Sequence, residues 1–303
     1  MTSPRTLTDG EHRIDGEPRP LDRALRQRYP GASWAVVRRA VRSGKVQVDG
    51  RIVRDPVHPV AAGSRIQVRM SSARRPRVAL DDDVLVHVDA QLVVVRKPPG
   101  IVCVPDARHR RDTLAQRIQA LLPRRGRRTV PLGVVQRLDR DTSGLLVFTR
   151  TRDARLALKE QLGRRAVARH YLAVVAGRAR AKVYRSHLTE RRDGKRGSTR
   201  RPRHGQYACT HVSVVEHLAG ATLVRCELET GRTHQIRIHL SEAGHPLLGD
   251  RRYARRGIVC PPAPRVMLHA ASLGFVHPTT GRALQFDEPL PPDMAEVADE
   301  LRK

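Results

Sequence analysis

The sequence is poor in cysteine and has no long hydrophobic run, and each shortage excludes a class of protein. Its four cysteines are widely spaced and form no C-x-x-C pair, so neither a disulfide framework nor a zinc ribbon is expected, and a reducing cytoplasm fits best. No apolar run approaches the length of a membrane span, and the first twenty residues lack the apolar core of a signal peptide. We therefore predict a soluble protein with no membrane partner.

Acidic residues are too few to balance the basic ones. The chain has 30 Asp and Glu against 58 Lys and Arg, and its formal net charge is +28. An excess of this size predicts a polyanionic partner bound through its phosphates. The motifs GxxxxGK[ST] and GxGxxG are both missing, so neither a nucleotide cofactor nor a redox cofactor is expected.

The most informative segment is residues 136–144, a polar turn with the sequence QRLDRDTSG. Apolar runs on both sides are typical of short buried strands and should hold the turn at its two ends. Asp139 has Arg137 and Arg140 close in sequence, and a cationic neighbour favours the ionised carboxylate. An ionised carboxylate in a fixed position can act as a nucleophile, whereas the alternative is an ordinary ion pair in a loop.

A second segment, residues 230–240, has the sequence TGRTHQIRIHL. Its alternating apolar residues predict a strand, although Ile236 and Leu240 lie four apart and also allow a helix. In either case Arg237 lies close to buried side chains and needs an anionic partner, unless it binds only backbone carbonyls. His234 and His239 are five apart, which does not fit a helical metal pair, so no metal site is expected.

These two segments resemble the catalytic motifs HRLDxxTSG and TGRxHQIRxH of the RluA family of RNA pseudouridine synthases. Further matches in family order are KPPG at 97–100, YLAVVAG at 171–177, GHPLLGDRRY at 244–253, LHA at 268–270 and FVHP at 275–278. The resemblance spans the chain from residue 19 to residue 295, and several ordered blocks are far more specific than one motif. Gln136 departs from the pattern, because the family usually has His there; this affects the expected substrate preference and not the nucleophile.

The resemblance implies an isomerase that converts uridine to pseudouridine in RNA without a cofactor. It implies Asp139 as the nucleophile, Arg237 as its ion-pair partner and Tyr171 as the residue that stacks on the base. The matched blocks also supply the expected substrate-binding residues, which are Arg137, Arg140, Arg232, His234 and Ile236. Large-subunit ribosomal RNA is the expected target. Transfer RNA, or a non-catalytic role as an RNA-binding ribosome-assembly factor, remains an alternative.

The chain is predicted to contain a disordered leader (1–18), a small α/β RNA-binding domain (19–70), a basic linker (71–80) and a catalytic domain (81–303). The small domain has two helical segments followed by a hairpin at Asp49-Gly50, and it carries twelve basic residues against three acidic ones. This pattern resembles the RNA-binding domain of ribosomal protein S4. Trp34 is expected to pack inside this domain.

The catalytic domain interleaves short strands irregularly with few helices, which predicts the α+β class. The family resemblance implies a central mixed, mostly antiparallel sheet. Within this domain, residues 190–204 hold seven basic residues against two acidic ones, together with Gly194 and Gly197. This basic segment is predicted to be a mobile hairpin tip that clamps RNA, or else a surface loop without a role. The protein is expected to be a monomer.

Overall fold

The computed structural model describes residues 7–53, 55–70, 80, 82–105, 112–122, 131–191 and 194–303. The chain forms two compact units, Met1–Ala79 and Leu80–Lys303. Across these described ranges, no helix combines the length and apolar character needed to cross a membrane. Residues 71–79 of the predicted linker lie outside the described residues, and the four-part division of the chain stays a prediction.

The smaller unit joins two helices and a four-stranded antiparallel sheet in one core. Its elements are β1 (Gly10–Arg13), β2 (Arg19–Pro20), α1 (Leu21–Arg28), α2 (Trp34–Arg42), β3 (Val46–Val48), β4 (Arg51–Ile52), β5 (Pro59–Val60) and β6 (Arg65–Val68). The strand order is β1-β6-β3-β4, and β2 pairs separately with β5. The predicted hairpin is confirmed, because Asp49 and Gly50 join β3 to β4 with positive φ angles of 49° and 79°.

The prediction of a disordered leader is wrong for residues 7–14. Strand β1 pairs with β6 along its whole length, from Gly10 opposite Val68 to Arg13 opposite Arg65. Leu7 and Ile14 are buried in the core of the smaller unit. These two apolar side chains are too sparse to give a periodic signal in the sequence, yet they are enough to fix a short edge strand.

The prediction that Trp34 packs inside the smaller unit is also wrong. Trp34 is 44% exposed, whereas Val37 and Val41 of the same helix are fully buried. The guanidinium groups of Arg26 and Arg38 lie 5.5 and 5.2 Å from the centre of its ring. Trp34 is the first residue of α2, where cation–π contacts hold the indole at the surface instead of core packing.

The larger unit is built on one sheet of eleven strands, and its predicted α+β class is confirmed. Its elements are β7 (Leu85–Val88), β8 (Leu92–Lys97), α3 (Leu114–Leu121), β9 (Gly133–Val134), β10 (Ser143–Thr149), α4 (Arg152–Gly163), β11 (Ala168–Ala176), β12 (Lys182–Glu190), β13 (Arg196–Thr199), β14 (Gln206–Leu218), β15 (Ala221–Leu228), α5 (Gln235–Glu242), β16 (Leu268–Val276), β17 (Ala283–Asp287) and α6 (Pro292–Glu300). The main path is β13-β12-β14-β15-β11-β16-β10-β8-β7, with β17 on β16 and β9 on β10. Among the pairs of described strands, β10 and β16 run parallel and the others antiparallel, so the predicted mixed, mostly antiparallel sheet is confirmed.

Two ambiguous segments of the larger unit have defined structures. Residues 235–242 form helix α5 and not a strand. The basic segment 190–204 includes the hairpin between β12 and β13, which pair antiparallel from His187 opposite Thr199 to Glu190 opposite Arg196. A 3-10 turn, Pro202–His204, then leads into β14. The mobility predicted for this hairpin stays a prediction.

The loop of residues 135–142, here called the Asp139 loop, enters β10 at a very close contact between strands. Ser143 and Gly144 pair with His269 and Ala270 of the parallel strand β16. Gly144 has a φ of 108°, and a Cβ atom there would lie 2.2 Å from the Ala270 carbonyl oxygen. The Ser143 hydroxyl and the His269 Nδ1 are 2.9 Å apart in a buried hydrogen bond. The end of the Asp139 loop is therefore fixed by a contact that only glycine allows.

A fully buried lysine at the end of β8 holds the backbone of the Asp139 loop. The Nζ atom of Lys97 donates to the carbonyl oxygens of Pro98, Arg140 and Thr142 at 3.0, 2.8 and 2.7 Å. Three hydrogen bonds match the three protons of the ammonium group. Lys97 therefore fixes the turn on the carboxyl-terminal side of Asp139.

Replacing Gly144 by alanine should destabilise the larger unit. The new methyl group would overlap the β16 backbone and require a positive φ, so we expect a loss of at least about 3 kcal/mol in the free energy of unfolding. Urea denaturation measures this loss. Gly163→Ala is the matched control, because a Cβ atom at Gly163 meets nothing within 4 Å, and it should change the free energy by less than about 1 kcal/mol. Equal effects of the two substitutions would contradict the role given to Gly144.

Lys97→Met should also destabilise the protein, because it leaves two carbonyl oxygens of the Asp139 loop and that of Pro98 without their donor. We expect a loss of about 2–5 kcal/mol in the free energy of unfolding at neutral pH. Burial lowers the pKa of Lys97 from 10.5 to about 8. Between these pH values the unfolded chain keeps a proton that the folded protein releases, so the wild type should gain stability relative to Lys97→Met as the pH rises. Urea titrations near pH 7 and pH 10 that give an unchanged difference would contradict this assignment.

Candidate active site

A cleft of about 500 Å³ opens among the Asp139 loop, strand β11 and the start of helix α5. The predicted site residues that line it are Asp139, Tyr171, Arg237, Arg137, Ile236, Arg232 and His234. Gln136, which stands where the related family usually has His, also lines this cleft. Most of the residues singled out by the two motifs therefore meet in one place, although they are up to about one hundred positions apart in the chain.

At the base of the cleft, one arginine lies between two carboxylates. The Nη1 atom of Arg237 donates to Asp139 Oδ2 at 2.8 Å. Its Nε and Nη2 atoms donate to Oδ2 and Oδ1 of Asp250 at 2.7 and 2.9 Å. Burial opposes the charge of Arg237, but the hydrogen bonds and charges of Asp250 and Asp139 outweigh it and raise the pKa of the guanidinium. The partner expected for Arg237 is thus in place, and a second carboxylate orients the same guanidinium.

Sequence analysis missed Asp250 as a site residue. Its carboxylate is 1% exposed and also accepts hydrogen bonds from the backbone N–H groups of Arg252 and Tyr253 at 3.1 and 3.2 Å. The signal that could have indicated Asp250 is its position in the block 244–253, which matches the family pattern. Asp250 lies thirteen residues after Arg237 in the sequence. Their contact depends on how the segment after α5 folds back, and a motif does not show this.

His234 forms a second contact with the nucleophile candidate. It adopts a left-handed conformation with a φ of 60° at the N-cap of α5. Its Nδ1 is 2.7 Å from the Tyr253 hydroxyl, and its Nε2 is 3.7 Å from Asp139 Oδ2. Burial is the main cause that lowers the pKa of His234 below its usual 6.5. The imidazole is therefore neutral at physiological pH and adds no full charge beside Asp139.

Tyr171 lies at an irregularity in the sheet. The pairing between β11 and β16 shifts register between His170 and Tyr171. Such a bulge turns a side chain away from its regular direction, and here the residue that follows it lines the cleft. Burial raises the pKa of the Tyr171 hydroxyl to about 12, so the phenol keeps its proton at neutral pH. Ile236 is 4% exposed and shares a hydrophobic core cluster with Tyr171.

Arginines predicted to bind substrate have different positions. Arg137 is exposed at the cleft, and Arg232 is anchored there by a hydrogen bond from its Nε to the Tyr207 carbonyl at 3.0 Å. Arg140 is outside the cleft lining, and its role in substrate binding stays a prediction. Its Nε lies 3.1 Å from Asp141 Oδ1, and its own carbonyl accepts from Lys97.

One group of side chains in the described chain could hold a metal ion. The ligand atoms of Cys209, His211 and Glu229 lie within 4.8 Å of one another. Glu229 already accepts from Arg165 through Oε2 at 2.7 Å, and its Oε1 lies 2.7 Å from His211 Nε2. Hydrogen bonds therefore satisfy this group without a metal. His239 lies instead between the hydroxyls of Thr210 and Ser186, both at 2.9 Å, and the expected absence of a metal site stays a prediction.

Comparisons with known proteins agree with the family resemblance of the two motifs. Residues 91–242 match the family described as RNA pseudouridylate synthase, and residues 19–66 match the S4 domain. The chain is 35% identical over 297 residues to ribosomal large subunit pseudouridine synthase D of Vibrio parahaemolyticus, covering 93% of this chain and 91% of the relative. It is also 35% identical over 301 residues to the RNA pseudouridine synthase YlyB of Bacillus subtilis, covering 93% and 94%.

Solved structures give a consistent result. The human RNA Pseudouridylate Synthase Domain Containing 4 protein is 26% identical and has a TM-score of 0.59, with 72% of this chain and 92% of the human chain covered. The family match spans half of the chain, and the bacterial relatives cover nearly all of it. This protein belongs to the RNA pseudouridylate synthase family, whose members are isomerases that convert uridine to pseudouridine.

Proposed function

We propose that this protein forms pseudouridine in large-subunit ribosomal RNA and that Asp139 is its nucleophile. The observation that carries the chemical assignment is the Asp139–Arg237–Asp250 arrangement at the base of a cleft lined by arginines. Relatives that align with more than nine tenths of this chain are named for the ribosomal large subunit, which supports the choice of RNA. Transfer RNA and a non-catalytic assembly role are the outcomes against which this proposal is tested.

The reaction breaks the bond from ribose C1′ to uracil N1, rotates the base and joins C1′ to uracil C5. C5 then loses its hydrogen as a proton, and N1 gains a proton, so the product is an isomer of the substrate. Arg237 fixes Asp139 through Oδ2 alone. Among the described residues, no hydrogen bond engages Asp139 Oδ1, so this oxygen is available for bond formation. The carboxylate can attack either ribose C1′ or the uracil ring, and in both cases it is released when the new carbon–carbon bond has formed.

Arg237 is the ion-pair partner of Asp139 and is itself almost buried. A guanidinium that is 9% exposed would be costly alone, but the fully buried Asp250 supplies a counter-charge independent of Asp139. Arg237 can therefore remain charged and in place while the charge on Asp139 changes during covalent bond formation. We assign Asp250 as the positioning residue for this ion pair.

Tyr171 and Ile236 form the apolar part of the site in our proposal. The target uridine must leave the RNA stack, at a cost of about a few kcal/mol. Stacking of uracil on Tyr171, with Ile236 packed against it, offsets part of this cost. The phenol is protonated at neutral pH, so Tyr171 can also donate a hydrogen bond to the rotating base. Arg137 and Arg232 are placed at the cleft to contact the RNA backbone.

The same proposal includes a monomer that acts in the cytoplasm without a cofactor. The chemistry supports the last point, because isomerisation involves no net oxidation, reduction or group transfer to a second molecule. The S4 domain match and the net charge of +28 support RNA binding by the chain itself.

Asp139→Asn should abolish turnover while RNA binding persists. The amide keeps the size of the side chain but is a poor nucleophile, so we expect at least a 10³-fold fall in kcat, to roughly background. Tritium release from RNA labelled at uracil C5 reports formation of the new bond, and separate pools of large-subunit ribosomal RNA and transfer RNA identify the target. Turnover by Asp139→Asn would remove the nucleophile assignment. Wild-type release from transfer RNA alone would replace the proposed target, and release from neither pool would favour the assembly role.

Asp250→Asn should lower kcat by about 10- to 100-fold with a smaller change in KM, because Arg237 loses the anchor that orients it toward Asp139. Glu288→Gln is the matched control. It breaks another bidentate pair, in which Glu288 accepts from Nε and Nη2 of Arg96 at 2.6 and 2.7 Å, and Glu288 is also largely buried. Both substitutions should lower the free energy of unfolding, but only Asp250→Asn should lower kcat at saturating RNA. An equal fall in kcat for the two variants would contradict the positioning role.

A further inference from the structure

We propose that Arg169 forms an anion subsite in the cleft and binds a backbone phosphate beside the target uridine. This inference rests on the proposed function, because it names the part of the RNA that this side of the cleft receives. Arg169 belongs to strand β11, two residues before Tyr171, and lines the same cleft. The phosphate would thus be bound two residues along β11 from Tyr171, the residue that we propose stacks on the base.

Arg169 is buried but poorly satisfied. It is 7% exposed, and the hydrogen bonds found for it run from Nη2 to the carbonyl oxygens of Leu228 and Glu229 at 3.2 and 3.4 Å. Its buried Nε has no hydrogen-bond partner within the described part of the chain. Neutral carbonyls at these distances offset little of the cost of burying a full positive charge.

Two other arginines of the same unit with buried side chains are each paired with carboxylates. Arg237 is bound by two carboxylates. Arg265, with a side chain that is 9% exposed, pairs with both oxygens of Asp293 at 2.6 and 2.9 Å. Among the described residues, no carboxylate forms an ion pair with Arg169. The part of the chain that the structure describes therefore supplies no counter-charge for Arg169, as expected for a group that binds an anionic ligand.

Space for the guanidinium of Arg169 is provided by a glycine of the TGR motif. A Cβ atom on Gly231 would lie 2.7 Å from Arg169 Nη1. Gly231 itself lines the cleft, together with its neighbours Thr230 and Arg232. The backbone at this point thus comes close to the guanidinium and leaves it facing the cleft instead of a covering side chain. The role of Gly231 is therefore to lack a side chain beside Arg169, and it does not depend on the φ angle of Gly231.

A phosphate is the ligand that fits this subsite. The cleft lining has five arginines, at 137, 165, 169, 232 and 237, against the two acidic residues Asp139 and Glu229. Those two acidic residues are already paired, Asp139 with Arg237 and Glu229 with Arg165. A uracil carbonyl is neutral and would leave the charge of Arg169 uncompensated. A phosphodiester carries a full negative charge and accepts the two-pronged hydrogen bonds that guanidinium groups donate.

The test compares Arg169→Gln and Arg169→Lys with Arg178→Gln, which removes an exposed arginine beyond the end of β11 and outside the cleft lining. The Kd for an unmodified transcript of large-subunit ribosomal RNA is measured from low to moderate salt. Loss of one phosphate contact should reduce the slope of log Kd against log salt by about 0.7–0.9 in Arg169→Gln. Arg169→Lys should keep the wild-type slope, and so should Arg178→Gln.

The thermal unfolding midpoint of the RNA-free protein separates this role from a structural one. Arg169→Gln removes a buried charge that has no counter-charge, so its midpoint should be no lower than that of the wild type, whereas Arg237→Gln should lower it. A wild-type salt slope in Arg169→Gln, an equal loss of slope in Arg178→Gln, or a midpoint as low as that of Arg237→Gln would each overturn the proposal. The Kd values are measured in the Asp139→Asn background, where no turnover consumes the transcript, so an inactive wild type would defeat the proposed function but leave this result readable.

Discussion

The larger unit depends on one interaction, the pairing of a buried guanidinium with two carboxylates of unequal role. Asp250 is buried and meets Arg237 through two parallel hydrogen bonds, whereas Asp139 meets it through one and stays partly exposed, with 22% of its side chain accessible. A cation with a single carboxylate would lose its compensation whenever that carboxylate reacts. With Asp250 in place, the charge of Arg237 is supported throughout, so the carboxylate that we propose as nucleophile can change its bonding while its partner stays in position.

The Asp139 loop is held by a different kind of contact, in which no carboxylate takes part. Lys97 binds backbone carbonyls, and Gly144 allows two parallel strands to meet at a distance that excludes a side chain. Neither group needs a carboxylate, so neither competes with Arg237 for Asp139. Burial that lowers the pKa of Lys97 to about 8 shows that this support has a cost, because the ammonium is kept away from water. The loop is thus fixed through its backbone while the Asp139 side chain is left to the site.

The sequence predicted which motif residues form the site, and it failed where the answer depends on pairing over long distances. Asp139 and Arg237 could be predicted because each lies in a motif that is recognisable in the sequence. The hairpin at Asp49-Gly50 could be predicted because its turn depends on neighbouring residues. Asp250 was missed because its partner is set by the fold of the segment after α5. The motif that contains Arg140 does not show where its side chain lies, and the structure has it beside Asp141 and outside the cleft lining. The leader was read as disordered because two apolar residues give no period, although they complete a sheet edge.

The large arginine excess is better understood by the partners of each arginine than by its total. Arg237, Arg265 and Arg96 are bound by carboxylates, so their charges serve the fold and contribute little to attracting RNA. Arg137 and Arg232 are exposed at the cleft, where solvent and salt weaken their contacts with phosphates. Arg169 differs from both groups, because it is as buried as Arg237 and Arg265 but lacks the carboxylates that bind them. An anion that reaches it displaces little water and meets a guanidinium already fixed in direction, which makes a short-range contact stronger than one at the surface. A net charge of +28 therefore explains why RNA approaches this protein, and the placement of a single buried arginine explains how one phosphate could be selected beside Tyr171.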